Sequence, residues 1–349
     1  MKILILAGGS GERLWPLSRR SRPKQFQKLI SEKMLIEDTL ERFTKIFNPK
    51  YIYIIGEKRF SRFFKKLLPG IPVQNIIYEP SPKNTAAAIG LGASYIKNKI
   101  KNEKEVIAIL PSDHFIKYPK RLILTLKKAE SFSKKNRHIV IIGIKPSYPE
   151  TGYGYIKAGK LIDKKNKVFL VDKFIEKPDL NKAKKLIKSP KYFWNAGIFI
   201  AKIETILEGI KTHLPKHYSI LKKINGTSKI KRYWPKLKNI SFEYGVAEKL
   251  NEIAVVTANM GWSDIGSWHS LKSCLQVKID ENIIIGNHLG VDTKNSLVLG
   301  DKKLIATLGL KNIVIIDTED ALFVCDSRKS QDIKKLVKKL KKKNKIKYL

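Results

Sequence analysis

The residues of this 349-residue chain best suited to chemistry begin at its N-terminus. Gly8-Gly9-Ser10-Gly11 follows a short apolar run, residues 3–7, and is itself followed by Arg13 and Lys24. Glycines let a backbone turn tightly and approach a ligand without Cβ atoms in the way. Successive N–H groups in such a loop form a concavity suited to anions, phosphate above all. Two familiar glycine patterns fail here. The third glycine of a dinucleotide fingerprint would fall on Leu14, and no Gly-Lys pair completes a Walker loop. The loop therefore reads as a phosphate-facing turn that ends in cations, which favours a nucleoside triphosphate over a bound dinucleotide. An ordinary strand-to-helix turn is the plain alternative.

Carboxylates come next. Asp113 follows the apolar run 106–110 through Pro111-Ser112 and leaves the sheet on the same edge as the glycine loop. A carboxylate facing a triphosphate is repelled unless a cation lies between them, so its natural role is to bind Mg²⁺; a turn or cap aspartate is the alternative. Asp264, set among Gly261, Trp262, Gly266 and Trp268, is the best second carboxylate for the same ion. In Glu79-Pro-Ser-Pro-Lys-Asn84-Thr85-Ala86, either Asn84 or Thr85 can cap a helix over residues 86–100. That helix opens with small residues, which would admit a base or ribose or simply pack closely on a sheet; their types do not choose between the two. Gly152 and Gly154 flank Tyr153 and again permit close approach. Glu176 and Lys177 are adjacent, so on an extended backbone they point to opposite sides and read first as an exposed pair. Asn195 lies among aromatic and apolar residues, and a buried amide needs partners that a polyhydroxylated ligand could supply. His114 reads as structural. His213 and His217 do not make a zinc-protease site, because Leu214 replaces the glutamate and Pro215 disrupts a helix there. No G-x-S-x-G elbow is present.

These residues need strands to hold them. Residues 3–7, 51–56, 76–79, 106–110 and 139–144 read as buried strands with helical patterns between, which predicts an α/β fold with a doubly wound, mostly parallel sheet of Rossmann-like kind. Ligands bind such sheets beyond the carboxyl ends of the strands, where the loops above lie. From about residue 282 the texture changes to short β-rich pieces (283–285, 296–299, 304–308, 313–316, 322–324), suggesting a small β-helix-like appendage. Ile333, Leu336, Val337 and Leu340 then mark an amphipathic helix, with residues 341–347 read as a solvated, fraying end. The expected domains are a catalytic domain over 1–278, the β-rich domain over 279–328 and the lysine-rich helix over 329–349.

Composition bounds the partners. Hydrophobic content of 43% suits a globular protein, and no apolar run approaches the about 20 residues of a membrane span. The apolar run after Lys2 is too short for a signal peptide. Two cysteines, Cys274 and Cys325, make neither a disulfide framework nor a metal-site spacing, so a cytoplasmic protein is expected. The net charge of +39 raises the question of nucleic acid. However, the lysines are scattered along the chain beside abundant isoleucine, and no aromatic-interleaved basic module appears. Neither specific nucleic-acid binding nor membrane-surface binding is expected, while a positive surface would steer phosphorylated substrates.

Eight stretches in order resemble the bacterial mannose-1-phosphate guanylyltransferases (GDP-mannose pyrophosphorylases) among the sugar-phosphate nucleotidyltransferases. They are residues 6–19, Pro23-Lys-Gln-Phe26, Asn84-Thr-Ala86, Leu110-Pro-Ser-Asp-His114, Gly152-Tyr-Gly-Tyr155, Phe174-Ile-Glu-Lys-Pro178, Trp194-Asn-Ala-Gly197 and Trp262-Ser-Asp-Ile-Gly266. The resemblance implies transfer of GMP from GTP to mannose 1-phosphate, giving GDP-mannose and pyrophosphate. It implies that Leu6, Ala7, Gly8, Gly9, Ser10 and Gly11 contact the nucleotide, with Asn84, Thr85 and Asp113. It makes Arg13 and Lys24 the catalytic cations and Asp113 and Asp264 the Mg²⁺ ligands. Gly154, Glu176, Lys177 and Asn195 become contacts to the sugar phosphate, with Lys177 on the phosphate, which reverses the plain reading of that pair. A homodimer is allowed but not required. Many relatives carry a further phosphomannose isomerase domain; this chain stops at Leu349, so isomerase activity is not expected. Ala87 stands where relatives often have proline.

Overall fold

A computed structural model describes residues 1–349 except 10, 68, 69, 225–228, 277 and 279, so Ser10 of the glycine loop lies outside the described residues. The chain forms two compact units. One comprises Met1–Gly8, Leu40–Ser112 and Ile116–Trp262; the other comprises Gly9–Thr39, Asp113–Phe115 and Ser263–Leu349. These units interleave in chain order, so their limits differ from cuts at residues 278 and 328.

The first unit is built on a nine-stranded sheet. Its strands are β1 (Lys2–Ala7), β2 (Ile52–Glu57), β3 (Ile76–Glu79), β4 (Val106–Pro111), β5 (Ile139–Ile144), β6 (Tyr155–Asp163), β7 (Val168–Ile175), β8 (Tyr192–Lys202) and β9 (Ile253–Ala258). They lie in the order β3-β2-β1-β4-β8-β5-β9-β7-β6. β1 pairs in parallel with β2 and β4, and β9 with β5. β8 runs antiparallel between β4 and β5. The sheet is thus mixed, and parallel among its first strands as the sequence pattern predicts. The unbroken apolar runs of β1, β2, β4 and β5 are buried on both faces, the behaviour of strands covered by helices on either side. Helix α1 (Asn84–Ile100) uses its small residues for close packing. A Cβ on Gly92 would come within 2.5 Å of Leu4 in β1, and one on Gly90 within 2.4 Å of Leu221.

The second unit contains the short β pieces. Strands β10 (Ile283–Ile285), β12 (Leu297–Leu299) and β14 (Ile313–Asp317) pair in parallel, and β15 (Leu322–Asp326) closes that sheet antiparallel to β14. A second parallel pair joins β11 (His288–Val291) to β13 (Ile305–Leu308). Parallel strands from successive turns are the β-helix-like arrangement expected. β11 escaped the sequence reading because His288 and Gly290 break its apolar run. The turns place Asn295 and Asn312 at positive φ, and the Asn295 amide donates to the Asn312 side chain from one turn to the next. Helices α2 (Trp268–Leu275) and α3 (Ile333–Lys342) complete the unit. Its core joins Leu14, Trp15, Ile265, Trp268, Leu297, Val314, Phe323, Ile333 and Val337. The C-terminal end is better anchored than a fraying terminus. Lys341 pairs with Glu12 at 2.7 Å, and the Trp15 indole donates to the Tyr348 carbonyl at 2.6 Å. Among the described residues, no helix is long and apolar enough to cross a membrane.

Candidate active site

Lys24 is the centre of the second unit's polar residues. Only 7% exposed, its ammonium lies 2.8 Å from an Asp113 carboxylate oxygen and also donates to the backbone carbonyl of Asp264. Burying a lysine this deeply is costly unless its charge is met, and Asp113 meets it. Burial alone would push the Asp113 carboxyl up, but the Lys24 charge, with His114 and hydrogen bonding, outweighs it and holds the group below the usual carboxylate range. Asp113 is therefore ionised at neutral pH. The Asp264 carboxylate accepts from the Gly266 amide at 2.7 Å, which fixes its turn.

The glycine loop reaches Lys24 through Gly11. Gly11 has φ +61°, and a Cβ there would stand 2.4 Å from the Lys24 Cβ. No other residue type satisfies both demands. Gly11, Arg13, Lys24, Asp113, Gly266 and Lys334 line a cavity of about 300 Å³. Five residues singled out by type and spacing, Gly11, Arg13, Lys24, Asp113 and Asp264, fall together in this unit. The sequence reading missed Lys334, whose lysine-rich surroundings hid it. Gly9, with φ +100°, belongs to the same unit, while Leu6 and Ala7 end β1 and Gly8 follows them in the first unit.

In the first unit, Gly154, Glu176, Lys177 and Asn195 meet, while Asn84 and Thr85 lead to Glu243, a carboxyl that feels the Glu176 charge. Neither Asn84 nor Thr85 caps α1. Asn84 takes φ +66° and accepts from the Thr85 amide at 2.8 Å. The Thr85 hydroxyl donates to Glu243 at 3.1 Å and accepts from the Phe242 amide at 2.8 Å. The expectation that Glu176 and Lys177 point apart is overturned. Lys177 has φ +43°, so the chain turns just after β7 and the two side chains form an ion pair. Gly154 makes room for this arrangement, because a Cβ there would lie 2.6 Å from a Glu176 carboxylate oxygen. The Gly154 carbonyl accepts from the Asn195 amide at 2.8 Å. Asn195 is buried at 8% exposure, and its side-chain oxygen accepts from the Gly197 amide at 3.0 Å. Beside it, Trp194 and Trp262 pack edge-on against Tyr153 at ring separations of 5.2 and 5.1 Å.

Three further carboxyls of this unit escaped the sequence reading. Burial first, and the Glu176 charge with it, push the Glu243 and Glu248 carboxyls up. Their signal was the pair of glutamates five apart in Phe242-Glu243-Tyr-Gly-Val-Ala-Glu248. Glu79, only 4% exposed, is pushed up to about 8 by burial and by nearby Glu57. One of its oxygens has no hydrogen-bond partner, and the other lies 3.7 Å from where a Cβ on Gly8 would stand. Its signal was an acid closing an apolar strand immediately before proline.

Among the described residues, no three His, Cys, Asp or Glu side chains gather to hold a metal ion. That does not conflict with magnesium chemistry, because Mg²⁺ commonly takes one or two carboxylates and fills its remaining positions with water and substrate phosphates. The ionised Asp113 and the hard oxygen donors of Asp264 fit that requirement.

The comparisons with known proteins agree with this chemistry. The family model described as Nucleotidyl transferase matches residues 2–280, and that described as MannoseP isomerase/GMP-like beta-helix domain matches residues 286–340. A mannose-1-phosphate guanylyltransferase of Escherichia coli is 35% identical, with 97% of this chain and 75% of that protein covered. One from Salmonella muenchen is 34% identical, covering 98% and 73%. A solved structure from Thermus thermophilus, described as a mannose-1-phosphate geranyltransferase, superposes with a TM-score of 0.89 at 30% identity, covering 97% of this chain and 99% of that one. The chain is a nucleotidyl transferase with a C-terminal β-helix domain, and it belongs to the mannose-1-phosphate guanylyltransferase family.

Proposed function

We propose that the protein transfers GMP from GTP to mannose 1-phosphate, releasing pyrophosphate. The observation that carries the reading is Lys24: a buried ammonium held by Asp113 and the Asp264 backbone, on a cavity that Gly11 and Arg13 also line. A phosphate oxygen of the sugar attacks the α-phosphorus of GTP, and pyrophosphate leaves from the opposite side. The nucleophile is already an anion, so no general base is needed. Aligning two mutually repelling anions and stabilising charge on the transferring group supply the catalysis.

In this reading the loop of Leu6, Ala7, Gly8, Gly9, Ser10 and Gly11 cradles the nucleotide, while Arg13 and Lys24 neutralise the phosphates. Asp113 and Asp264 would hold Mg²⁺, whose charge, when bound, further offsets that of the phosphate oxygens. Asn84 and Thr85 contact the nucleoside. Glu79 suits a guanine edge, because even its neutral carboxyl keeps a carbonyl oxygen that can accept from N1–H or the exocyclic amine. Gly154, Glu176, Lys177 and Asn195 bind mannose 1-phosphate, the glutamate and asparagine on hydroxyls and the lysine on phosphate. Residues 1–278 then act as the catalytic domain, with 279–328 and 329–349 as its β-rich and helical appendages. The protein acts in the cytoplasm, takes no specific nucleic acid, and is compatible with a homodimer.

Pyrophosphate release, measured with a panel of nucleoside triphosphates and sugar 1-phosphates in magnesium buffer, tests the assignment. GTP with mannose 1-phosphate should exceed every other pair. Equal or faster turnover with UTP and glucose 1-phosphate would assign the chain another base and sugar.

A further inference from the structure

We propose that Lys334, on the C-terminal helix α3, is a further contact to the phosphate chain of the nucleotide, so that the segment after the β-rich domain completes the phosphate pocket. The inference rests on the guanylyltransferase reading above and deepens it.

Lys334 lines the same cavity as Gly11, Arg13, Lys24 and Asp113. Its place there is set by packing. Ile333 and Val337, each 3% exposed, anchor α3 in a core shared with Leu14 and Trp15, the two residues that follow Arg13. Two polar ties hold the same surfaces together: the Lys341–Glu12 ion pair at 2.7 Å and the Trp15 indole on the Tyr348 carbonyl at 2.6 Å. A helix fixed by core side chains and two such ties positions the lysine far better than a loose tail would. The Lys341 pairing also offsets Glu12, the loop's own acid, which would otherwise oppose an incoming phosphate. A lysine is a compact point charge on a flexible stem, able to follow a phosphate oxygen as it changes from ester to departing pyrophosphate. The other lysines of α3 do not share this place. Lys334, Lys335 and Lys339 are all exposed, but of the three only Lys334 lines the cavity, and Lys335 is paired with Asp332 at 2.9 Å.

The test uses the full-length protein with Lys334→Ala, Lys334→Arg and the charge-matched control Lys339→Ala. Two quantities are read: the affinity for magnesium pyrophosphate by titration calorimetry, and KM for each substrate. Lys334→Ala should weaken pyrophosphate binding and raise KM for GTP about 10- to 100-fold, the span for one lost charged hydrogen bond. KM for mannose 1-phosphate should change little, Lys334→Arg should recover most of the loss, and Lys339→Ala should match the wild type. The proposal is overturned if Lys334→Ala binds pyrophosphate like Lys339→Ala. It is equally overturned if both substrates' KM values rise together, or if the arginine variant folds but recovers nothing. Pyrophosphate carries neither guanine nor mannose, so a wild type that binds it without making GDP-mannose refutes the function and leaves the lysine to be judged by the titration.

Discussion

The two units handle charge in opposite ways. In the second, Lys24 and Asp113 sit within 2.8 Å and the carboxyl is held ionised. In the first, burial and neighbouring glutamate charges push Glu79, Glu243 and Glu248 toward the neutral form. A cavity lined by Arg13, Lys24 and Lys334, whose two acids Glu12 and Asp113 are paired with Lys341 and Lys24, suits phosphate oxygens, which are acceptors only. The first unit's glutamates, with Lys177 beside them, offer carboxyl oxygens to donors, whether sugar hydroxyls or the amine edge of a base. Under the proposed function this contrast is a division of labour: the second unit's cations act on the triphosphate, and the first unit's residues hold the nucleoside and mannose 1-phosphate, its phosphate included.

The strongest way to break that division is Lys24→Ala. It should lower kcat by on the order of 10²–10³, by analogy with removing a preorganised donor from an oxyanion site. It should also let the Asp113 carboxyl titrate upward, because burial is then opposed by one cation fewer. The kcat pH profile would gain an acid limb moved to higher pH, and an unchanged rate would remove Lys24 from the chemistry.

A smaller effect is expected from Gly154→Ala. The new methyl would meet the far end of the Glu176 side chain at 2.6 Å, which can move aside, and the Phe174 ring at 3.2 Å, which must give slightly, so folding should be only mildly affected. The displaced carboxylate should nevertheless raise KM for mannose 1-phosphate about tenfold, near the value of one hydrogen bond to a charged group. A thermal melt beside the kinetics separates the two effects.

Glu79→Gln sharpens the comparison through stability. The Glu79 pKa rises from the ordinary 4.5 to about 8 in the folded state. Its neutral form is therefore favoured by folding, and stability is lost as pH rises from about 4.5 toward 8. The amide cannot ionise, so Glu79→Gln should melt above the wild type at pH 8 and converge with it near pH 4.5. The difference at pH 8 should be on the order of a few kcal/mol. Parallel melting curves at all pH values would show that Glu79 does not titrate between those limits.

Much of this was legible in the sequence. The buried strands announced themselves as unbroken apolar runs, and the β-rich region as short runs between turn residues. Gly11, Arg13, Lys24, Asp113 and Asp264 stood out because loops after buried strands converge on one edge of a sheet. Side-chain turns were less visible. The meeting of Glu176 and Lys177 depends on a positive φ at a lysine, which sequence gives no reason to expect. Thr85 bonding across to Glu243 instead of capping its own helix is a tertiary choice. Lys334 was masked by composition: among so many lysines, nothing local marks the one that the packing of Ile333 and Val337 turns into a cavity wall.

The division of labour is tested most directly by steady-state kinetics of Glu176→Gln with both substrates varied. The account predicts that KM for mannose 1-phosphate rises about tenfold while KM for GTP stays near the wild-type value, since one charged hydrogen-bond acceptor is lost from the sugar alone. A rise in KM for GTP with mannose 1-phosphate unaffected would contradict it.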